Sequence, residues 1–198
     1  MHSRLNRILL LLRYLALPEC KRLLSGCDPA FGKLVRAALE TGARYGELIR
    51  LRVDDFNRDT GTVAVRISKT RKPRHIVLTD QGAAFFAELC ARRLGSELMF
   101  LKADGGTWRK SHQLHPIVEA CRHAKIEPPI NFHALRHTWA SLATMNGVPL
   151  LIVAKNLGHT DTRMVEKHYG HLAPSYIAEA IRAGAPRFGK IKNRQPAN

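Results

Sequence analysis

Apolar residues along this chain recur at two spacings. Phe31, Leu34, Val35, Ala38 and Leu39 follow the three-and-four rhythm of a helix with one buried stripe. Asp28-Pro29 supplies a cap and a first-turn proline before them, and Gly42 a stop after them. A shorter helix is expected over 18–25, and a further helical stretch carries Glu47, Leu48 and Leu51. The period then falls to two. Residues 62–67 alternate in strand fashion and residues 74–78 do so again, around the basic turn Ser68-Lys69-Thr70-Arg71-Lys72-Pro73. This predicts a β-hairpin with a cationic tip. Residues 53–56 are read as a third short strand, with Asp59-Thr60-Gly61 as its turn. Helical spacing returns over 81–93, 108–124, 133–145, 149–156 and 174–183, with Gly147 and Gly158 as stops. The fold class is therefore mostly α (α+β): one helical domain over 14–185 with a small antiparallel sheet. Residues 1–13 are a lead-in and residues 186–198 a basic C-terminal tail.

Charge adds a partner to this picture. Among 198 residues, 32 Lys and Arg stand against 16 Asp and Glu, a net +16 at pH 7. Such an excess favours a polyanion, because each phosphate neutralised releases condensed counterions. Charge alone does not separate DNA from RNA or an anionic membrane surface, nor an enzyme from a passive binder. The apolar run Ile8 to Leu12 follows Arg4 and Arg7, but Arg13 interrupts it and no small-residue cleavage site follows. No stretch approaches the roughly 20 apolar residues of a membrane helix. Cys20, Cys27, Cys90 and Cys121 are dispersed, with no CxxC pair. The expectation is a cytoplasmic protein with reduced thiols and no membrane partner.

Three clusters hold residues suited to chemistry. In Thr41-Gly42-Ala43-Arg44-Tyr45-Gly46-Glu47-Leu48, Arg44 lies just past a helix end, and Glu47 is placed to hold its guanidinium in a forked pair. A helix-to-helix junction with a structural ion pair reads equally well there. In His133-Ala134-Leu135-Arg136-His137, His133 and Arg136 share a helix face, while Leu135 and Trp139 are placed to face the core together. In the third cluster, Gly158-His159 ends one element and Lys167-His168-Tyr169-Gly170-His171 follows. A phenol with a free pKa of about 10 needs neighbouring cations or a base to act as a nucleophile. His133 and His137, four apart, also suit a metal, but no HExxH is present and nearby acids are sparse. No metal site is expected.

Together and in order, these segments resemble the catalytic domain of tyrosine recombinases of the phage-integrase family. The family pattern reads here as Arg44 in TGARYGEL, Lys69 on the hairpin, His133 and Arg136 in HALR, Gly158-His159, and Tyr169 before the last helix. The resemblance covers about 14–183, and its specificity lies in the ordered set. It implies site-specific DNA recombination or integration. Arg44 and Arg136 would clamp the scissile phosphate, and His159 would donate a further hydrogen bond. Tyr169 would attack to leave a covalent 3′-phosphotyrosyl bond, Lys69 would protonate the leaving 5′ oxygen, and His133 would exchange the tyrosine proton. Glu47 would orient Arg44, while Arg71, Lys72 and Arg74 would contact DNA. Lys72 competes with Lys69, which is preferred because it directly follows the strand. The ten-residue interval from His159 to Tyr169 is one longer than in many members. No cofactor is implied; the partner is double-stranded DNA, bound by a homotetramer on paired sites, although the isolated domain is also compatible with a monomer. Relatives carry a further N-terminal core-binding domain, and its absence predicts weak DNA binding and poor recombination by this chain alone. A non-catalytic DNA-binding module would explain the charge but not this constellation.

Overall fold

The computed structural model describes residues 13–66, 73–159, 161–170 and 181–186. The first expected helices form as α1 (Leu17–Gly26) and α2 (Pro29–Thr41). The Asp28 carboxylate accepts the amides of Ala30 and Phe31, both at 3.0 Å, so two otherwise unpaired donors at the start of α2 are satisfied. Phe31, Leu34, Val35 and Ala38 are fully buried, as their spacing predicts. The helix ends on Gly42 at φ 64°, in the left-handed region, with its amide bonded to the Ala38 carbonyl. One short turn, α3 (Tyr45–Leu48), follows.

The segment read as a third strand over 53–56 is corrected by the structure. Val53–Asp55 is a 3-10 turn, because the Asp55 carboxylate accepts the Arg52 amide at 2.8 Å and so competes with ladder pairing. The strand β1 is Phe56–Asn57, followed by β2 (Thr62–Val65) and β3 (Arg74–Val77) in one antiparallel sheet of order β1-β2-β3. Val63 pairs with Ile76 and Val65 with Arg74. Val63, Val65 and Ile76 are buried, so that face of the sheet is the inward one. The hairpin tip at 67–72 lies outside the described residues, as do 171–180, which hold most of the helix expected over 174–183, and 187–198 of the tail.

Helix α4 (Asp80–Cys90) starts on the Thr79 hydroxyl, which accepts the Gly82 amide at 3.1 Å, and stops short of Arg93. The helix expected over 108–124 begins only at Leu114, as α5 (Leu114–His123). Trp108 packs on Phe31 with ring centroids 5.8 Å apart, and the Tyr45 hydroxyl donates to the Arg109 carbonyl at 2.9 Å. These tertiary anchors keep 108–113 out of the helix, with turns over 110–113. Helices α6 (His133–Met145), α7 (Leu150–Leu157) and α8 (Arg163–Tyr169) complete the described domain. The architecture is thus helical with one small sheet, as the periodicities imply. No helix among the described residues is long and apolar enough to cross a membrane. Cys20, Cys27, Cys90 and Cys121 are free.

Helix α6 lies between two apolar clusters. Leu135 belongs to the larger, with Phe31, Leu34 and Phe86. Ala140 belongs to the smaller, with Val153, Leu157, Val165 and Tyr169, and Trp139 packs there rather than beside Leu135. Helix α2 packs along α6, and α7 touches β3, α6 and α8. That arrangement brings the three chemistry-bearing segments to one seam.

Candidate active site

Two helix C-termini meet at this seam. The last carbonyls of a helix have no intrahelical partners and carry the negative end of its dipole. Here arginines fill them. Arg136, in the first turns of α6, donates from Nη1 to the Gly42 carbonyl at 2.9 Å and from Nη2 to the Leu157 carbonyl at 2.7 Å. The same Nη2 lies 3.0 Å from His159 Nε2. Arg74 Nε donates to the Asn156 carbonyl at 2.8 Å, and Asn156 Nδ2 to the Thr41 carbonyl at 3.1 Å. The approach is close enough that a β-carbon on Gly42 would fall 2.8 Å from both Leu157 Cδ2 and Trp139 Cε3. Gly158, at φ 71°, ends α7 and turns the chain into His159.

Glu47 organises the cationic side. Arg44 precedes α3 in an extended conformation, and Glu47 folds back to cap it. Its Oε2 accepts the Arg44 amide at 2.9 Å and its Oε1 accepts Arg44 Nη1 at 3.0 Å. Arg74 reaches the same two oxygens from the other side, at 3.2 and 2.8 Å. Burial by itself would raise the carboxyl's pKa. The Arg74 hydrogen bonds, the Arg44 amide and both guanidinium charges outweigh that and hold it below the ordinary range. The anticipated Arg44–Glu47 pair is therefore present. Arg74, expected among the DNA contacts, turns inward instead: its side chain is 9% exposed and is bound at both ends. The cause is strand alternation, since Arg74 lies two residues from buried Ile76 and shares its face.

Arg136 is itself buried, and its pKa is pushed down to about 9, first by burial and then by Arg44. It remains protonated at neutral pH, so Arg136 adds a third guanidinium charge near Arg44 and Arg74, whose one carboxylate partner is Glu47. His159 is pushed down to about 4, by burial, then by Arg136 and Arg44. A guanidinium only donates, so His159 Nε2 is the acceptor and the ring's proton resides on Nδ1.

The tyrosine lies within reach of the Arg136 charge. Tyr169 ends α8 and is 6% exposed. Its hydroxyl lies 2.6 Å from Nδ1 of His137, which the sequence suggests only as half of a metal-ligand pair with His133. Burial raises Tyr169 to about 12, with the Arg136 charge pulling the other way. His137 is lowered to about 4, by burial first, then by His133 and His168. It is neutral at pH 7, so the phenol donates and the imidazole accepts. His133, the expected partner of the tyrosine, is exposed and stacks edge-on against His137 with centroids 4.9 Å apart. Its pKa is lowered too, by desolvation ahead of the Arg136 and Arg44 charges. The spacing of His133 and His137 at i, i+4 was the available signal for a shared face. Lys69, Arg71 and Lys72 fall outside the described residues. Among the described residues no group of three or more His, Cys, Asp or Glu could hold a metal ion.

The model of the phage integrase family matches residues 14–175. The integrase of Salmonella phage P22 is 27% identical over 210 residues, covering 94% of this chain and 52% of that protein. The chain spans about half the length of the curated relatives it matches. Among solved structures, the catalytic domain of bacteriophage HP1 integrase aligns at TM-score 0.65 and 28% identity, covering 86% of this chain and 94% of that one. The XerH site-specific recombinase bound to its difH substrate aligns at TM-score 0.64 and 20% identity, covering 88% of this chain and 55% of that one.

Proposed function

Because this chain belongs to the phage integrase family, we propose that it is the catalytic domain of a tyrosine site-specific recombinase, cutting and rejoining double-stranded DNA in recombination or integration. The observation that carries the reading is the convergence of Arg44, Arg136 and His159 beside a buried Tyr169. Arg44 and Arg136 take the non-bridging oxygens of the scissile phosphate, where fixed forked donors suit the charge that grows in the transition state. His159, with its proton on Nδ1, adds a neutral donor. The Tyr169 oxygen attacks phosphorus. The O–P bond forms, the bond from phosphorus to the 5′ oxygen breaks, and a 3′-phosphotyrosyl linkage remains. Lys69 supplies the proton to the departing 5′ oxygen, and the reverse sequence rejoins DNA. Glu47 holds Arg44 in place, with Arg74 as its second counter-ion.

Charge of +16 and the DNA-bound state of the XerH neighbour support DNA as the partner. Arg71 and Lys72 at the hairpin tip are proposed DNA contacts; Arg74, turned inward, is not. A homotetramer on two sites, in the cytoplasm and without metal or nucleotide, completes the proposal. The test uses a pool of nicked suicide duplexes randomised around the nick, in EDTA. The intact chain should give an SDS-resistant protein–DNA adduct, and Tyr169→Phe should abolish it. No adduct from the intact chain would refute the enzymatic reading in favour of a DNA-binding module.

A further inference from the structure

Attack by Tyr169 requires its proton to leave as the bond to phosphorus forms, and the resemblance to relatives assigns that proton to His133. The geometry points to a different residue. We propose that His137 Nδ1 accepts the Tyr169 proton during cleavage and returns it during rejoining. The inference rests on Tyr169 being the nucleophile.

Distance is the first argument. The 2.6 Å contact from the Tyr169 hydroxyl to His137 Nδ1 is a short hydrogen bond to a ring nitrogen, within the reach a general base needs. His133 has no hydrogen bond to Tyr169 among the described residues and meets His137 by its ring edge instead. Placement is the second. His137 directly follows Arg136 on α6, so the phosphate clamp and the proton acceptor are carried by one rigid element. The helix is also tied to the rest of the domain, since the Thr138 hydroxyl accepts the Leu15 amide at 2.9 Å.

Protonation state is consistent with this role. The groups facing His137 are His133 and Arg136 on its own helix, His168 and Tyr169 on α8, and His159 beyond α7. Burial first, and then the charges of these neighbours, keep the ring neutral at pH 7, with its own proton on Nε2. At rest the proton stays on the phenol, because that group sits at about 12 and the imidazole at about 4. Bonding to phosphorus makes the phenolic oxygen far more acidic, so transfer accompanies attack rather than preceding it. The O–H bond breaks and an N–H bond forms on Nδ1. The resulting imidazolium holds the proton that the tyrosine needs as a leaving group when the 5′ hydroxyl attacks in the return step.

Two measurements test the proposal, one without DNA. In the ¹⁵N-labelled chain, His137 should show an unprotonated, hydrogen-bonded Nδ1 and a protonated Nε2 at pH 7, with the Nδ1 shift changing in Tyr169→Phe. A protonated Nδ1 would overturn the assignment. In single turnover on the suicide duplexes, His137→Gln keeps a hydrogen-bond acceptor without a usable base. It should cleave about 10²- to 10⁴-fold more slowly, while DNA affinity stays within about twofold. Its log rate should climb with slope one as pH rises, where the wild type is flat between pH 6 and 8. A 5′-bridging sulfur at the cleaved bond, which removes the need to protonate the leaving atom, should not restore it. Wild-type or faster cleavage by His137→Gln overturns the inference alone. Absence of any wild-type adduct overturns the recombinase reading and this inference with it.

Discussion

Glu47→Gln isolates the electrostatic support of the site. The substitution keeps the side chain's shape, so no cavity forms, but it removes the charge and turns one acceptor into a donor. Glu47 is 3% exposed and accepts four hydrogen bonds from the Arg44 amide and two guanidiniums. Removing one member of a buried ion pair costs about 3–5 kcal/mol, because the partner charge stays buried without compensation. Arg74 has no escape at 9% side-chain exposure, whereas Arg44 at 29% recovers some hydration. The expected loss is therefore near the lower bound, about 3 kcal/mol, set against a total stability of about 5–15 kcal/mol. Urea denaturation at pH 7 measures it. The double variant with Arg74→Met should cost less than the sum of the singles by about 1–3 kcal/mol, since the orphaned charge is gone. A loss below about 1 kcal/mol, or strict additivity, would refute the reasoning. The same contact has a pH signature. The folded-state pKa of Glu47 lies below its unfolded value, so its contribution is complete above about pH 4.3 and disappears as pH falls through the folded value. Acid unfolding of the wild type should show this step, and Glu47→Gln should lack it.

Two further variants separate helix-end geometry from ordinary stability. Gly42→Ala forces a β-carbon into the left-handed region and against Leu157 and Trp139 at 2.8 Å. Thermal and urea melts should show a loss of about 2–4 kcal/mol, and adduct formation should fall because the Gly42 carbonyl holds Arg136; a melt within about 0.5 kcal/mol of wild type would contradict the packing described. Asp28→Ala removes the α2 cap far from the seam, so urea melts should show about 1 kcal/mol lost while the single-turnover cleavage rate on suicide duplexes stays unchanged.

Local patterns in the chain were strong where one physical rule governs one segment. The Asp28-Pro29 cap, the stripe from Phe31 to Ala38, the Gly42 stop and the alternation in β2 and β3 each depend on neighbours within a few residues, and each appears in the structure. So does the Arg44–Glu47 pair, because three residues across a helix start suffice to close it. Arg74 was legible in principle: its place two residues from Ile76 put it on the inward face, but the basic composition of the hairpin masked that alternation. Residues 108–113 were not legible, because a helical propensity there yields to anchors from Phe31 and Tyr45, far away in sequence. The proton partner of Tyr169 belongs to the same class. The i, i+4 spacing set His133 and His137 on one face of α6, yet only the packing of α8 against that helix decided which ring the phenol meets. Spacing along one element is determined by backbone geometry and can be read from the chain. Which of two equivalent side chains receives a group from another element is determined by how the elements dock, and that information exists only in the folded molecule.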